Sequence, residues 1–278
     1  MARAEAGTAA NVVEVFSSTQ GPSPWIEEKT STIQGEGPWV GRSTLFVRLG
    51  GCDLRCRWCD SPGTWLPAGE ARLERARGSG EFDARANPVP IADLVAACEA
   101  LELEAHRFVA ITGGEPLLQP EAVRALAGAL AGRGPRIFLE THGVADAALA
   151  QVVDAVDVVS MDWKLASDVR RESDVRSAPA APFHEAHERF LRTARAGAEV
   201  SVKLVVTTAS EDAEIDEAAR RIADVDPATP VVLQPVTPFG PVRERPSAER
   251  MLGLEARLAR TLADVRVIPQ THPIWGAR

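Results

Sequence analysis

The sequence predicts an α/β protein of parallel strands joined by crossover helices. Short β-branched runs alternate with helical patterns along most of the chain, and that order places parallel strands in a sheet with helices packed against it. The helical stretch PEAVRALAGALAGRG opens on Pro120 and closes on Gly134, the punctuation of a helix start and stop. At 278 residues, 45% hydrophobic and 25% charged, the chain has the bulk for one large α/β domain or two small ones, with a substantial core.

In chain order, residues 1–29 form an extension carrying a strand-like segment, and residues 30–278 form the main body. The first strand of the body is LFVRLG from Leu45. Strand alternation puts Leu45, Val47 and Leu49 on one face and Phe46 with Arg48 on the other, so Arg48 is expected to point inward. Pro67–Pro90, rich in Gly, Pro, Ala and Arg, falls outside the alternation and is read as a surface insertion. Ile91, Leu94, Val95, Cys98 and Leu101 then recur at helical spacing.

Further strands follow in HRFVAITGG from His106, RIFLET from Arg136 and VDVVSMDWK from Val156. Ser167–Pro182, with mixed charge and two prolines, is read as a second insertion. Phe183–Gly197 and Ser210–Asp224 are helical by composition, and His184 and His187 are placed on a surface helix. VSVKLVVT from Val200 sets Ser201 and Lys203 opposite Val202, Leu204 and Val206; PVVLQPV from Pro230 and VRVIPQ from Val265 complete the strands. The echo between SSTQG at Ser17 and STIQGEG at Ser31 is too short for a structural repeat.

A formal net charge of −8 excludes an extended, sequence-independent grip on nucleic acid, which needs Lys and Arg at phosphates. A small-molecule substrate suits the composition better. No uninterrupted apolar stretch of about 18 residues predicts a membrane span, and the first residues lack the basic-then-apolar order of a secretory signal. The expected location is the cytoplasm, where clustered thiols stay reduced and bind metal or do chemistry.

Three of the four cysteines, Cys52, Cys56 and Cys59, lie within GGCDLRCRWCD. Three thiols neither close a four-ligand zinc site nor pair off as disulfides. Zinc completed by a distant His, and free thiols, are the bland alternatives; an iron–sulfur cluster with one open iron is the sharper reading. Cys98 sits on an apolar helical face and reads as a buried structural cysteine. Arg55 and Arg57, between the thiols, are expected to favour thiolate. Trp58 and Trp65 are candidates to shield a cluster from water, or ordinary core.

CxxxCxxC after one strand and TGGEP, Thr112–Pro116, after the next resemble the radical S-adenosylmethionine enzymes. The resemblance implies a [4Fe–4S] cluster on the three cysteines, with S-adenosylmethionine on the remaining iron and the GGEP turn at its methionine end. Thr112, Gly113, Gly114, Glu115, Ser160 and Lys203 are the implied cofactor contacts, with Glu115 taking a hydrogen bond from the ammonium. The implied fold is a modified partial (β/α) TIM-type barrel in a single domain.

Within that superfamily, STIQGEGPWVGRSTLFVRLGGCDLRCRWCDSPGTW is similar over its whole length to the start of the 7-carboxy-7-deazaguanine synthase family. TGGEPLLQ, FLETHG, LQPV and VIPQTH follow in the same order. This resemblance implies conversion of 6-carboxy-5,6,7,8-tetrahydropterin to 7-carboxy-7-deazaguanine with loss of ammonia, on a queuosine-type route. It also implies magnesium, a homodimer, and an electron donor such as flavodoxin or ferredoxin. The family's substrate contacts fall on Gln34, Glu36, Arg48, Glu140, Gln234 and His272, types that suit a heterocycle with mixed donors and acceptors and a carboxylate.

The chain departs from the family at three places. Ser61 stands where the family commonly has Thr as a magnesium ligand; it keeps the hydroxyl. Extra residues lie around Gln20–Ser31, and Pro273 replaces a frequent Lys in the tail. The rival enzyme reading is a glycyl-radical activase, which shares CxxxCxxC and GGEP but not QGEG or QTH. The rival outside enzymes is a non-catalytic iron–sulfur or zinc module, which has no use for GGEP.

Overall fold

Each of the seven apolar runs becomes a strand of one parallel array in the structure, a computed structural model that describes residues 7–17, 33–174 and 181–275. Residues Gln20–Ser31, part of the second insertion and the last three residues of the tail lie outside the described residues.

The chain begins with β1 (Ala9–Ala10), β2 (Val12–Phe16), β3 (Thr44–Leu49), β4 (Leu54–Cys56), β5 (Glu70–Glu74), β6 (Phe82–Ala86) and β7 (Val89–Pro90). It continues through α1 (Ile91–Ala100), β8 (Phe108–Gly113), α2 (Pro120–Leu130), β9 (Arg136–Thr141), α3 (Asp146–Leu149), β10 (Val158–Asp162) and β11 (Val169–Arg171). The last elements are α4 (His184–Arg195), β12 (Glu199–Val206), α5 (Asp212–Val225), β13 (Val231–Pro235), α6 (Ala248–Leu258) and β14 (Val265–Val267).

Ten strands form one sheet in the order β14-β13-β12-β10-β9-β8-β3-β2-β5-β6. From β14 to β3 every pairing is parallel, and no pairing closes the sheet among the described residues. The N-terminal strand β2 joins antiparallel to β3 and so belongs to the same sheet as the body. The stretch 67–90 carries strands of its own: β5 and β6 form a hairpin that extends the sheet beyond β2. In the second insertion, β11 pairs with β4 and stitches that segment to the cysteine loop.

Strand alternation divides the sheet into two faces. Leu45, Val47, Val109, Ile111, Val159, Met161, Val202 and Leu204 pack against the inward stripes of the helices in one core. Cys98 is fully buried there, on the apolar face of α1. On the other face Phe46, Phe108, Phe138 and Val158 form an apolar floor capped by Trp39, whose ring meets those of Phe138 and Phe108 edge-on at 5.1 and 6.4 Å. Such pairs add about 0.5–1.5 kcal/mol each beyond the area they bury.

His184 and His187 are not on a solvent-facing surface. They occupy the inner side of α4, where Trp163 Nε1 donates to His184 Nδ1 at 3.0 Å and Lys164 N donates to His187 Nε2 at 2.8 Å. A polar residue type at a core-facing helical position was hidden by composition; the buried backbone around Trp163 supplies the partners that make it affordable. No helix among the described residues is long and apolar enough to cross a membrane.

Candidate active site

Above the aromatic floor the same sheet face turns polar. Arg48, Thr112, Glu140, Ser160, Asp162, Lys203 and Gln234 stand at the C-terminal ends of adjacent strands and line a cavity of about 830 Å³. Open parallel sheets place ligands at this end, because the connecting loops and exposed backbone groups converge there. Gln34, Glu36 and His272 reach the same cavity from loops, as do Cys52, Cys56, Cys59 and Ser61.

Gln34 and Glu140 form a fixed pair. Gln34 Nε2 donates to Glu140 Oε1 at 2.7 Å, and Thr112 Oγ1 donates to Glu140 Oε2 at 2.9 Å. Gln34 Oε1 in turn accepts from the backbone N–H of Glu36 at 3.1 Å. Burial, and then the nearby Glu36 carboxylate, push the Glu140 carboxyl above its usual range. Gln234, which lines the cavity, is buried, and its Oε1 has no partner among the described residues.

A row of alternating charges crosses the cavity. Lys203 pairs with Glu36 and lies 3.0 Å from Asp162 Oδ1, while Lys164 Nζ is 2.5 Å from Asp162 Oδ2. Burial alone would raise the Asp162 carboxyl, but Lys164 and then Lys203 outweigh it and hold it at about 2. Glu36 is likewise pushed up by burial and brought below its ordinary value by Lys203. Gln270 Nε2 donates to Glu36 Oε1 at 2.6 Å and to Asp60 Oδ2 at 3.2 Å.

The three thiols form one wall. Cys52 N donates to Trp65 O at 3.1 Å and Cys59 N to Cys56 O at 3.2 Å, so the loop is held by its own backbone. Gly113 and Gly114 let that loop approach: a Cβ on Gly114 would stand 2.3 Å from Gly51 O, and one on Gly113 2.1 Å from Leu49 O.

The expected arginine support for thiolate is not found. Arg55 donates to the carbonyls of Cys52 and Leu54, both at 2.8 Å, and pairs with Glu172; Arg57 turns toward Asp168 at 3.6 Å. Both guanidiniums are spent on carboxylates or carbonyls, and the cation that bears on Cys56 is Lys164. Burial, only partly offset by Lys164, pushes the Cys56 thiol up to about 12 and raises Cys52 as well. Soft, desolvated thiols of this kind suit a metal that displaces the proton. Lys164 Nζ also lies 4.5 Å over the Trp58 ring, and Arg55 lies 4.9 Å over Trp65, so both tryptophans brace the wall.

Glu115 does not face the cavity. Its side chain is fully buried; Oε1 accepts from Leu117 N at 2.9 Å and Thr141 Oγ1 at 2.8 Å, and Oε2 accepts from His142 N at 2.8 Å. With both oxygens engaged it pins the turn from behind. His142 Nε2 reaches back to Asp53 Oδ1 at 2.9 Å, and this contact ties the end of β9 to the cysteine loop.

Ser61 Oγ donates to Asp60 Oδ1 at 2.9 Å, which sets a hydroxyl and a carboxylate together at the cavity edge. No group of three or more His, Cys, Asp or Glu among the described residues is arranged to hold a single metal ion. A [4Fe–4S] cluster spreads its protein ligands over separate irons, and magnesium usually keeps waters and substrate oxygens beside one or two protein ligands. The thiol wall and the Asp60–Ser61 edge therefore fit those two groups by donor chemistry. His272 packs on Gly35, where a Cβ would stand 2.6 Å from His272 Nδ1.

Asp162, Lys164 and Gln270 lie in the site without having been singled out in the sequence, and His142, to which the sequence assigned no role, lies there too. Asp162 and Lys164 share the parity of Ser160 along VVSMDWK, a signal that alternation supplies. Gln270 sits in VIPQTH beside His272, and His142 in FLETHG beside Glu140.

A model of the radical SAM superfamily matches residues 46–224. The chain is 36% identical over 270 residues to the 7-carboxy-7-deazaguanine synthase of Geobacter sulfurreducens, covering 96% of this chain and 97% of that one. It is 32% identical over 267 residues to the enzyme of that name from Methanopyrus kandleri, covering 95% and 92%. The crystal structure of QueE from Escherichia coli superposes with a TM-score of 0.53 at 23% identity, over 89% of this chain and 93% of the other, a likeness of fold.

Proposed function

The chain belongs to the radical SAM superfamily and, within it, to the 7-carboxy-7-deazaguanine synthase family, and from that membership we propose that it converts 6-carboxy-5,6,7,8-tetrahydropterin to 7-carboxy-7-deazaguanine with loss of ammonia. The observation that carries the reading is the meeting, in one cavity, of three thiols on one wall and the Gln34–Glu140–Thr112 set with the unpartnered Gln234 Oε1 on the other. A pterin ring presents both donors and acceptors along one edge, and Gln34, Glu140 and Gln234 are side chains of the types that answer both.

Cys52, Cys56 and Cys59 would hold a [4Fe–4S] cluster, with Thr112, Gly113, Gly114, Ser160 and Lys203 nearest the S-adenosylmethionine. When bound, these groups supply the one-electron chemistry that removes a hydrogen atom from a substrate carbon. The protein's own part is position. Gln34 and Glu140, hydrogen-bonded to each other, fix the ring edge. Arg48 takes the substrate carboxylate, and Lys203 is immobilised between Glu36 and Asp162 so that its charge does not wander during the reaction. The aromatic floor excludes water from below.

Magnesium at Ser61, joined by substrate oxygens, belongs to the same reading, as do a homodimer, a cytoplasmic location and a flavodoxin- or ferredoxin-type donor. The test is anaerobic incubation of the reconstituted protein with the carboxypterin, reductant and S-adenosylmethionine, followed by mass analysis. Appearance of 7-carboxy-7-deazaguanine supports the reading; S-adenosylmethionine cleavage with no product from the carboxypterin sinks it.

A further inference from the structure

The hairpin β5–β6 does more than extend the sheet: it carries Arg72 and Phe82 into the cavity wall. Register explains how. Glu14 on β2 is the cross-strand partner of Arg48 on β3 and of Arg72 on β5, so the three side chains form one row over adjacent strands. Glu14 Oε1 lies 3.3 Å from Arg48 Nε, and Glu14 Oε2 lies 3.8 Å from Arg72 Nη1. Two guanidiniums flank one carboxylate, leaving this end of the cavity with an excess positive charge.

Aromatic faces hold both cations. The Arg72 guanidinium lies 4.1 Å over the Phe82 ring and that of Arg48 5.6 Å over Phe16. Phe16 itself is stacked on Phe46 of the floor, 5.3 Å away and 13° from parallel. Stacking of this kind fixes a planar guanidinium without consuming its N–H donors. Among the described residues Arg48 spends only Nε on Glu14, which leaves its forked Nη groups for a ligand.

Resting on the pterin reading above, we propose that Arg72 joins Arg48 in a two-guanidinium seat for the substrate carboxylate, and that Glu14 sets the spacing of the pair and opposes the anion. The hairpin thus becomes a specificity element: it favours a pterin bearing an acid group over the same ring without one. Arg72 is more than half exposed, so solvent screening keeps its share modest.

The experiment measures binding of 6-carboxypterin and of unsubstituted pterin by fluorescence to the reconstituted protein, and KM and kcat with the tetrahydropterin substrate. Arg72→Gln is expected to weaken carboxypterin binding and raise KM by about three- to fivefold, with kcat and unsubstituted pterin binding changed less than about twofold. Arg72→Lys should recover part of the loss, and Glu14→Gln should tighten carboxypterin binding, because it removes the opposing charge. Unchanged carboxypterin binding in Arg72→Gln, or equal loss for both pterins, overturns the seat while leaving the pterin reading intact. Failure of the wild-type protein to bind either pterin overturns both.

Discussion

The backbone N–H of His142 donates to Glu115 Oε2 at 2.8 Å, tying the end of β9 to the glycine turn that follows β8. The same carboxylate takes Thr141 Oγ1 and Leu117 N, so one buried side chain sets the relative position of two strand ends that line the cavity. A buried carboxylate with three donors organises its surroundings strongly, since removing it strands the donors without water.

Replacing Glu115 with Gln keeps the volume but turns an amide N–H₂ toward donors. The expected cost is about 1–3 kcal/mol, read as a fall of several degrees in melting temperature, together with lower iron content after reconstitution. Unchanged melting and full iron loading would place the anchor of the turn elsewhere.

Alanine at Cys52, Cys56 or Cys59 should abolish iron binding and the visible absorption of the reconstituted protein. Cys98→Ala should keep both and lose about 1–2 kcal/mol of stability, because it opens a small void in a fully buried helix face. Equal iron loss at Cys98 would contradict the assignment.

At the cavity edge, Ser61→Ala should raise the magnesium concentration needed for half-maximal turnover by about tenfold or more, and Ser61→Thr should restore it, since only the hydroxyl is needed. A magnesium titration in which the Ala and wild-type curves coincide would move the ligand away from Ser61.

His187 makes a pH prediction. Burial, only partly offset by its bond to Gly143 O, lowers its pKa from 6.5 to about 3. Above pH 6.5 the imidazole is neutral in both folded and unfolded chains and contributes no pH dependence. As pH falls from 6.5 toward 3, the unfolded chain takes up a proton that the folded chain refuses, and stability declines by about 1.4 kcal/mol per pH unit from this group. His187→Gln should remove that share of the acid slope. Denaturant melts at pH 7, 6, 5 and 4 will measure it; parallel slopes in the two proteins would exclude the effect.

The parallel array was legible because its strands are apolar runs with clean alternation, and the period of two also named the inward residues Arg48 and Lys203. The cysteine loop was legible because three thiols at that spacing leave few other uses. In the hairpin 70–86 the signal was lost to composition: its outward positions are Glu, Arg and Asp, and it gains a β partner only by lying beside β2. Likewise, charge near a thiol in sequence did not give charge near it in space, because Arg55 and Arg57 had nearer acceptors in Glu172 and Asp168.

The sequence by itself determined the thiol loop, the glycine turn and the face of each strand on which Arg48 and Lys203 sit, since alternation and motif spacing are local properties of the chain. Tertiary structure decided the partners. Glu115 became a buried anchor, Lys164 the cation beside Cys56, and Arg72 a neighbour of Arg48, because each depends on strand order and register that bring distant segments within hydrogen-bond reach. No local pattern encodes the distance between residues 48 and 72; the intervening strand β2, paired with both, sets it.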